Sequence, residues 1–147
     1  MAPSARRAAL PREPRASAPE RRGCEEKGYE AFGRGDLEAV GQTFADDVEW
    51  WSSEELPQGG EVKGRDDVLG NFAQIPNYWS DFAVEPSEFV DAGETLVIVR
   101  GKQRATAKDS GATFEGPFVH VFEISGGKVT RGEFFGDSAK AAKALDS

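Results

Sequence analysis

The stretch Gly35–Trp51, GDLEAVGQTFADDVEWW, changes its period halfway. Asp36 is placed to cap a helix, and Leu37, Val40 and Phe44 recur behind it at helical spacing. Val48, Trp50 and Ser52 then alternate with Glu49 and Trp51, which is the period of a strand. A helix that passes the chain straight to a strand needs a sheet to receive it, and the rest of the sequence supplies one.

Upstream, Tyr29 and Phe32 stand at i, i+3 on a helix that starts near Cys24 and stops at Gly33-Arg34-Gly35. Downstream, EELPQGG reads as a loop, and Asp66 or Asp67 can cap a third helix. Its stripe is Val68, Leu69, Phe72 and Ile75, and Pro76 ends it. Four extended segments follow, near 82–91, 94–107, 112–124 and 128–135, separated by the hairpin-type turns DAGE, KDSG and SGGK. Such a meander predicts an antiparallel sheet, and SAKAAKAL closes the chain with a short helix. Helices first and strands later, with the helices on one face of the sheet, is an α+β arrangement.

Composition bounds the function. A chain of 147 residues suits one domain, and 38% hydrophobic residues with three Trp and ten Phe suffice for a core. The 30% charged content argues for a soluble protein, and no apolar run approaches the roughly 20 residues that cross a bilayer. The N-terminus lacks the apolar centre of a secretion signal, so the expected location is the cytoplasm, with no membrane partner. Cys24 is the sole cysteine and His120 the sole histidine. That excludes an intramolecular disulfide and every zinc arrangement needing two such ligands, and the expectation is no metal and no cofactor.

The net charge of −8 is unevenly spread: residues 1–23 carry +4, which leaves −12 for the remainder. A body that acidic repels phosphate backbones and disfavours nucleic acid as a partner. The leading segment MAPSARRAALPREPRASAPERR holds Pro3, Pro11, Pro14 and Pro19 and few apolar residues. Residues 1–23 therefore read as a disordered arm and 24–147 as the domain, and removing 1–22 is expected to leave thermal stability nearly unchanged. Two glutamates and four prolines spoil the amphipathic helix of an organelle-targeting peptide, the alternative for this arm.

The order of elements, with the phrases GDLEAVGQTFADDVEWW, GRDDVLGNF, GPFVHVFEISGGKV and EFFGDSAKAAKAL, resembles the nuclear transport factor 2-like superfamily. Within it the chain is most similar to ketosteroid isomerase-like and SnoaL-like domains, over about residues 24–146. The resemblance implies a cone-shaped curved antiparallel sheet wrapped around an apolar cavity, covered by three N-terminal helices. It implies homodimers through the outer sheet face and a hydrophobic small molecule, such as a cyclic metabolite, as ligand. Ketosteroid isomerase uses an Asp base with a Tyr and a protonated Asp as oxyanion donors. Those places match Trp50, Gly28 and Val119 here. SnoaL-like cyclases have an acid on the last strand and a polar residue two positions earlier, and those places match Phe134 and Gly132. Every matched acid is missing, no catalytic residue is assignable, and no ketosteroid isomerase activity is expected.

The same matching puts Trp50 and Val119 on the cavity side. Strand parity then sends Trp51 outward, and it sends His120 outward with Phe118 and Phe122. On the strand before, the set Val97, Val99, Gly101, Gln103 and Ala105 is the better inner face, because the other set would bury Arg100 and Lys102. The expected ligand-lining residues are Tyr29, Phe32, Trp50, Phe72, Ile75, Trp79, Gln103, Val119, Val121 and Phe134. Of these, Gln103 or Tyr29 would supply the polar group. Asp46-Asp47, Glu54-Glu55 and Asp66-Asp67 read as caps and solvated loop charges, and Asp137 as a cap of the last helix.

Two functions remain open at this point. One is an isomerase-, cyclase- or hydratase-type enzyme working by shape, desolvation and a single polar group. The other is a non-catalytic ligand-binding or dimerisation module that kept the pocket without the acids. Epoxide hydrolysis by an Asp-Arg-Asp set is weaker, since Lys102 stands where an aspartate would follow Arg100.

Overall fold

Residues 18–146 are described by the computed structural model. Helix α1 runs Ala18–Gly33 and α2 Leu37–Gln42, followed by strands β1, Phe44–Ser52, and β2, Gly60–Lys63. Helices α3, Arg65–Ala73, and α4, Ile75–Tyr78, lead into β3, Trp79–Asp91. Strands β4, Leu96–Ala107, β5, Thr113–Ser125, and β6, Lys128–Gly136, complete the sheet before α5, Ser138–Asp146. The strands form one curved sheet in the order β2-β1-β6-β5-β4-β3. The architecture is α+β, with a mostly antiparallel sheet and helices gathered at the N-terminal end.

Several expectations are corrected. The arm does not extend to residue 23: residues 18–23 are the first turns of α1, and residues 1–17 lie outside the described residues. Proline in a first turn costs nothing, because those backbone N–H groups have no intrahelical acceptor. The segment is fastened by Arg22, whose Nη1 donates to Asp91 Oδ2 at 2.5 Å, and by Arg21, which donates to the Gly93 carbonyl at 3.3 Å. Phe44 opens β1 rather than closing α2, because the Thr43 hydroxyl turns back to the Val40 carbonyl at 2.7 Å and ends that short helix. Gly64, not an aspartate, stands at the N-cap of α3, and Asp66 and Asp67 lie in its first turn. There their charge favours the helix dipole. Strand β2 begins at Gly60, at the end of the expected loop, and β1 runs parallel to β6, so the sheet is not wholly antiparallel.

Parity follows from register. Val99 pairs with His120, His120 with Phe134, Phe122 with Gly132, and Trp50 with Gly132. These residues share the concave face, and Val97, Gln103, Ala105, Phe118 and Ile124 share it with them. Against that face α1, α2 and α3 place Ala31, Val40, Val68 and Phe72, forming the main core with Phe44, Val48 and Val129. A second cluster joins Trp79, Ala105, Ala107 and Phe114 to Ala141 and Ala144 of α5. Among the described residues no helix is long and apolar enough to cross a membrane.

Candidate functional site

Between the helices and the concave face lies a cavity of about 120 Å³. Its wall is aromatic, with Tyr29, Phe32, Phe44, Trp50, Phe72, Trp79, Phe122 and Phe134, and its rim includes the part-exposed Ser53, Leu56, Gln58, Asp137 and Ser138. Space on the order of an engineered cavity that accepts benzene (~150 Å³) encloses about one ring, and the part-exposed rim leaves a way for a ligand to extend beyond it.

Trp50 lies in this wall and Trp51 does not: Trp51 packs on Phe135 across the convex face, with ring centroids 5.2 Å apart. Room for the indole comes from Gly132, where a Cβ atom would stand 2.4 Å from Trp50 Cζ3. Aromatic bulk from β1 thus fills the space over a bare backbone on β6. Tyr29, Phe32, Phe72, Ile75, Trp79, Gln103 and Phe134 line the cavity. Gln103 is buried, and its amide sits over Gly136, where a Cβ would meet Nε2 at 2.3 Å. Arg100 turns out to solvent and holds Glu88 at 2.8 Å. Asp137 caps α5 through the Lys140 amide at 3.1 Å.

Val119 and Val121 do not line the cavity, and His120 does. The expected parity of β5 is reversed, because the pairing of Val99 with His120 aligns the inner residues of β4 with Phe118, His120 and Phe122. A signal for this exists in the sequence: Phe114, Phe118, Phe122 and Ile124 share one parity, while Glu115, Glu123 and Ser125 share the other. The apolar parity of β5, and not the place that matches a relative's acid, decides which of its residues face inward.

His120 is 5% exposed and surrounded by rings, with Phe134 at 4.4 Å and Phe118 and Phe122 at 5.1 Å between centroids. Tyr29 Oη hydrogen-bonds its Nδ1, and its Nε2 is buried without a partner. Burial, with the charge of Glu25 as the lesser cause, raises the Tyr29 phenol above its ordinary range, so it keeps its proton. Nδ1 is the acceptor available to that proton, and a phenol that accepted instead would leave its own O–H orphaned. The phenol therefore donates to Nδ1, and the neutral imidazole carries its hydrogen on Nε2. Burial lowers the His120 pKa to about 3, which keeps the ring neutral at physiological pH.

Glu25, which the sequence reading passed over, is the other buried polar group of the wall. It lies one turn before Tyr29 on α1, is 4% exposed, and has Oε1 without a partner. Burial raises its pKa to about 8. The Cys24 thiol, pushed up to about 11 by burial and then by the Glu25 charge, points at the carbonyls of Thr43 and Gly127 and away from nucleophilic use. Among the described residues no group of three His, Cys, Asp or Glu side chains could hold a metal ion.

A family model for the SnoaL-like domain matches residues 26–132. An NTF2-like protein of unknown function from Burkholderia pseudomallei shares 27% identity, covering 87% of this chain and 98% of that one, with a TM-score of 0.81. TerC, co-crystallised with polyporic acid, shares 26% over 87% of this chain and 99% of its own, with a TM-score of 0.80. IdmH from Streptomyces antibioticus, provisionally named a polyketide cyclase, shares the fold at 22% identity and a TM-score of 0.69, covering 86% of this chain and 99% of its own. No curated protein matches the chain.

Proposed function

Because the chain belongs to the SnoaL-like domain family, we propose that it is a small-molecule enzyme whose cavity takes a hydrophobic ring compound bearing a carbonyl oxygen. The observation that carries this reading is the buried imidazole of His120, held at Nδ1 by Tyr29 and left without a partner at Nε2 in an apolar wall. A hydrogen-bond donor in such surroundings is unsatisfied until an acceptor arrives, and a carbonyl oxygen on an apolar ligand supplies one. The same bond strengthens when charge develops on that oxygen, so it serves proton-transfer chemistry of the isomerase, cyclase or hydratase kind.

The second reading, a binding module without catalysis, is favoured by the missing acids at Trp50, Val119 and Phe134. The bicyclic ketone β-tetralone distinguishes the two. Binding followed by tryptophan fluorescence should weaken about tenfold or more in His120→Leu, the order expected for a lost buried hydrogen bond. Hydrogen exchange at the carbon beside the carbonyl, measured in D2O, should be accelerated by the wild type. Binding without acceleration favours the module, and equal binding by His120→Leu removes the histidine from the site.

We also take the active form to be a homodimer through the convex face, where Trp51, Val119 and Phe135 lie together and Phe135 is 44% exposed. Phe135→Glu should shift the protein to monomer in sedimentation equilibrium. An unchanged mass would place the contact elsewhere.

A further inference from the structure

Glu25 is a carboxyl group enclosed in the cavity with no cation to balance it: no Lys or Arg is among the described residues that line the wall. Arg21, one turn earlier on the same helix, turns to the Gly93 carbonyl at 3.3 Å and to Asp91 at 3.5 Å. Resting on the ketone-binding reading above, we propose that Glu25 is the proton-transfer residue of this site, taking a proton from the carbon next to the ligand's carbonyl.

In that step the C–H electron pair moves into a new C–C π bond, and the carbonyl π pair moves onto oxygen, where the His120 Nε2–H holds it. Glu25 keeps the proton as a carboxylic acid and returns it to the same carbon or to another one, which completes exchange or isomerisation. Nothing is consumed and no second reactant is needed.

The other titratable groups around the site are poorly suited. Tyr29 holds its proton too tightly, His120 with a pKa near 3 is too weak a base, and Asp137 at the rim is occupied in capping α5. The Cys24 thiol is turned to the backbone carbonyls of Thr43 and Gly127. Burial brings Glu25 to about 8, close to working pH, where a general base combines a useful ionised fraction with useful strength.

The test is the pH profile of β-tetralone exchange in D2O, followed by NMR with tryptophan fluorescence as the separate binding readout. For the wild type, kcat/KM should rise about tenfold per pH unit and level off near pH 8. Glu25→Gln should bind the ketone and lose about 100-fold or more in exchange rate, the usual scale of general base catalysis. Should Glu25→Gln fail to fold, Glu25→Asp decides: a slower reaction with a displaced midpoint supports Glu25, and an unchanged rate and midpoint overturns it. Binding without exchange, or full exchange by Glu25→Gln, overturns the proposal while leaving ketone binding intact. No binding at all removes the ketone reading and this proposal with it.

Discussion

The indole of Trp50 rests on the backbone of Gly132, at a distance where no β-carbon could stand: an added Cβ would lie 2.4 Å from Cζ3 and 2.5 Å from Cε3. The two residues are neighbours across the parallel pairing of β1 and β6, so neither can move away without breaking that pairing. Gly132→Ala should therefore expel Trp50 from its place, costing about 1–3 kcal/mol as overpacked sites do. Chemical denaturation gives the cost, and near-UV circular dichroism reports the displaced indole. A variant as stable as wild type with an unchanged spectrum would mean that the sheet yields at this point.

Trp50 and Trp51 should separate in a ligand titration. Trp50 lines the cavity, while Trp51 stacks on Phe135 across the sheet. When β-tetralone is titrated, Trp50→Phe should lose most of the fluorescence change and Trp51→Phe should keep it. Trp79 also lines the wall, so a residual signal in Trp50→Phe is expected and should vanish in the double variant Trp50→Phe, Trp79→Phe. Loss confined to Trp51→Phe would contradict the placement.

Stability should show a plateau and two limbs against pH. Glu25 has its folded pKa raised from 4.5 to about 8, so the folded state binds the extra proton between those values and stability falls as pH rises through them. His120 has its folded pKa lowered from 6.5 to about 3, so the unfolded state binds the extra proton and stability falls as pH drops below 6.5. Between pH 4.5 and 6.5 the two slopes cancel. From 6.5 to 8 stability should decline by about 1.4 kcal/mol per pH unit, with a limb of similar slope below 4.5. Urea titrations across this range measure both, and Glu25→Gln should flatten the alkaline limb and turn the plateau into a slope that rises to pH 6.5, because the His120 contribution is no longer cancelled. An alkaline limb that survives Glu25→Gln belongs to another group.

Removing residues 1–22 should lower the melting temperature by about 5 °C or more, contrary to the expectation drawn from composition. The deletion strips Arg21 and Arg22 from Asp91 and cuts into α1, on which Glu25 and Tyr29 are carried. A loss of about 2 kcal/mol corresponds to such a shift in a chain of this size. Calorimetry that finds no change would show that α1 is held by its apolar stripe alone.

Tyr29→Phe should destabilise by about 1–3 kcal/mol, because it leaves His120 Nδ1 buried without its donor. The freed imidazole can then carry its proton on Nδ1, which turns Nε2 from donor to acceptor. Ketone binding should weaken as it does in His120→Leu. Unimpaired binding would show that the phenol does not set the tautomer.

Much of the fold could be read from the chain because its signals are local. Asp36 and the spacing of Leu37 and Val40 make a helix wherever they occur, and the turns DAGE, KDSG and SGGK join neighbouring strands by backbone conformation alone. The inner set of β4 was legible too, since the opposite choice would have buried Arg100 and Lys102. Tertiary structure alone decided what depends on distant partners. The parallel seam of β1 and β6 joins segments some 80 residues apart, and only that seam brings Trp50 over Gly132. Parity on β5 carries either Val119 or His120 to the cavity, and a single step of register exchanges the two. Glu25 looks like any charged helix residue until α1 is laid against the sheet. Its burial, and with it the proton that it holds near neutral pH, exists only in the packed fold.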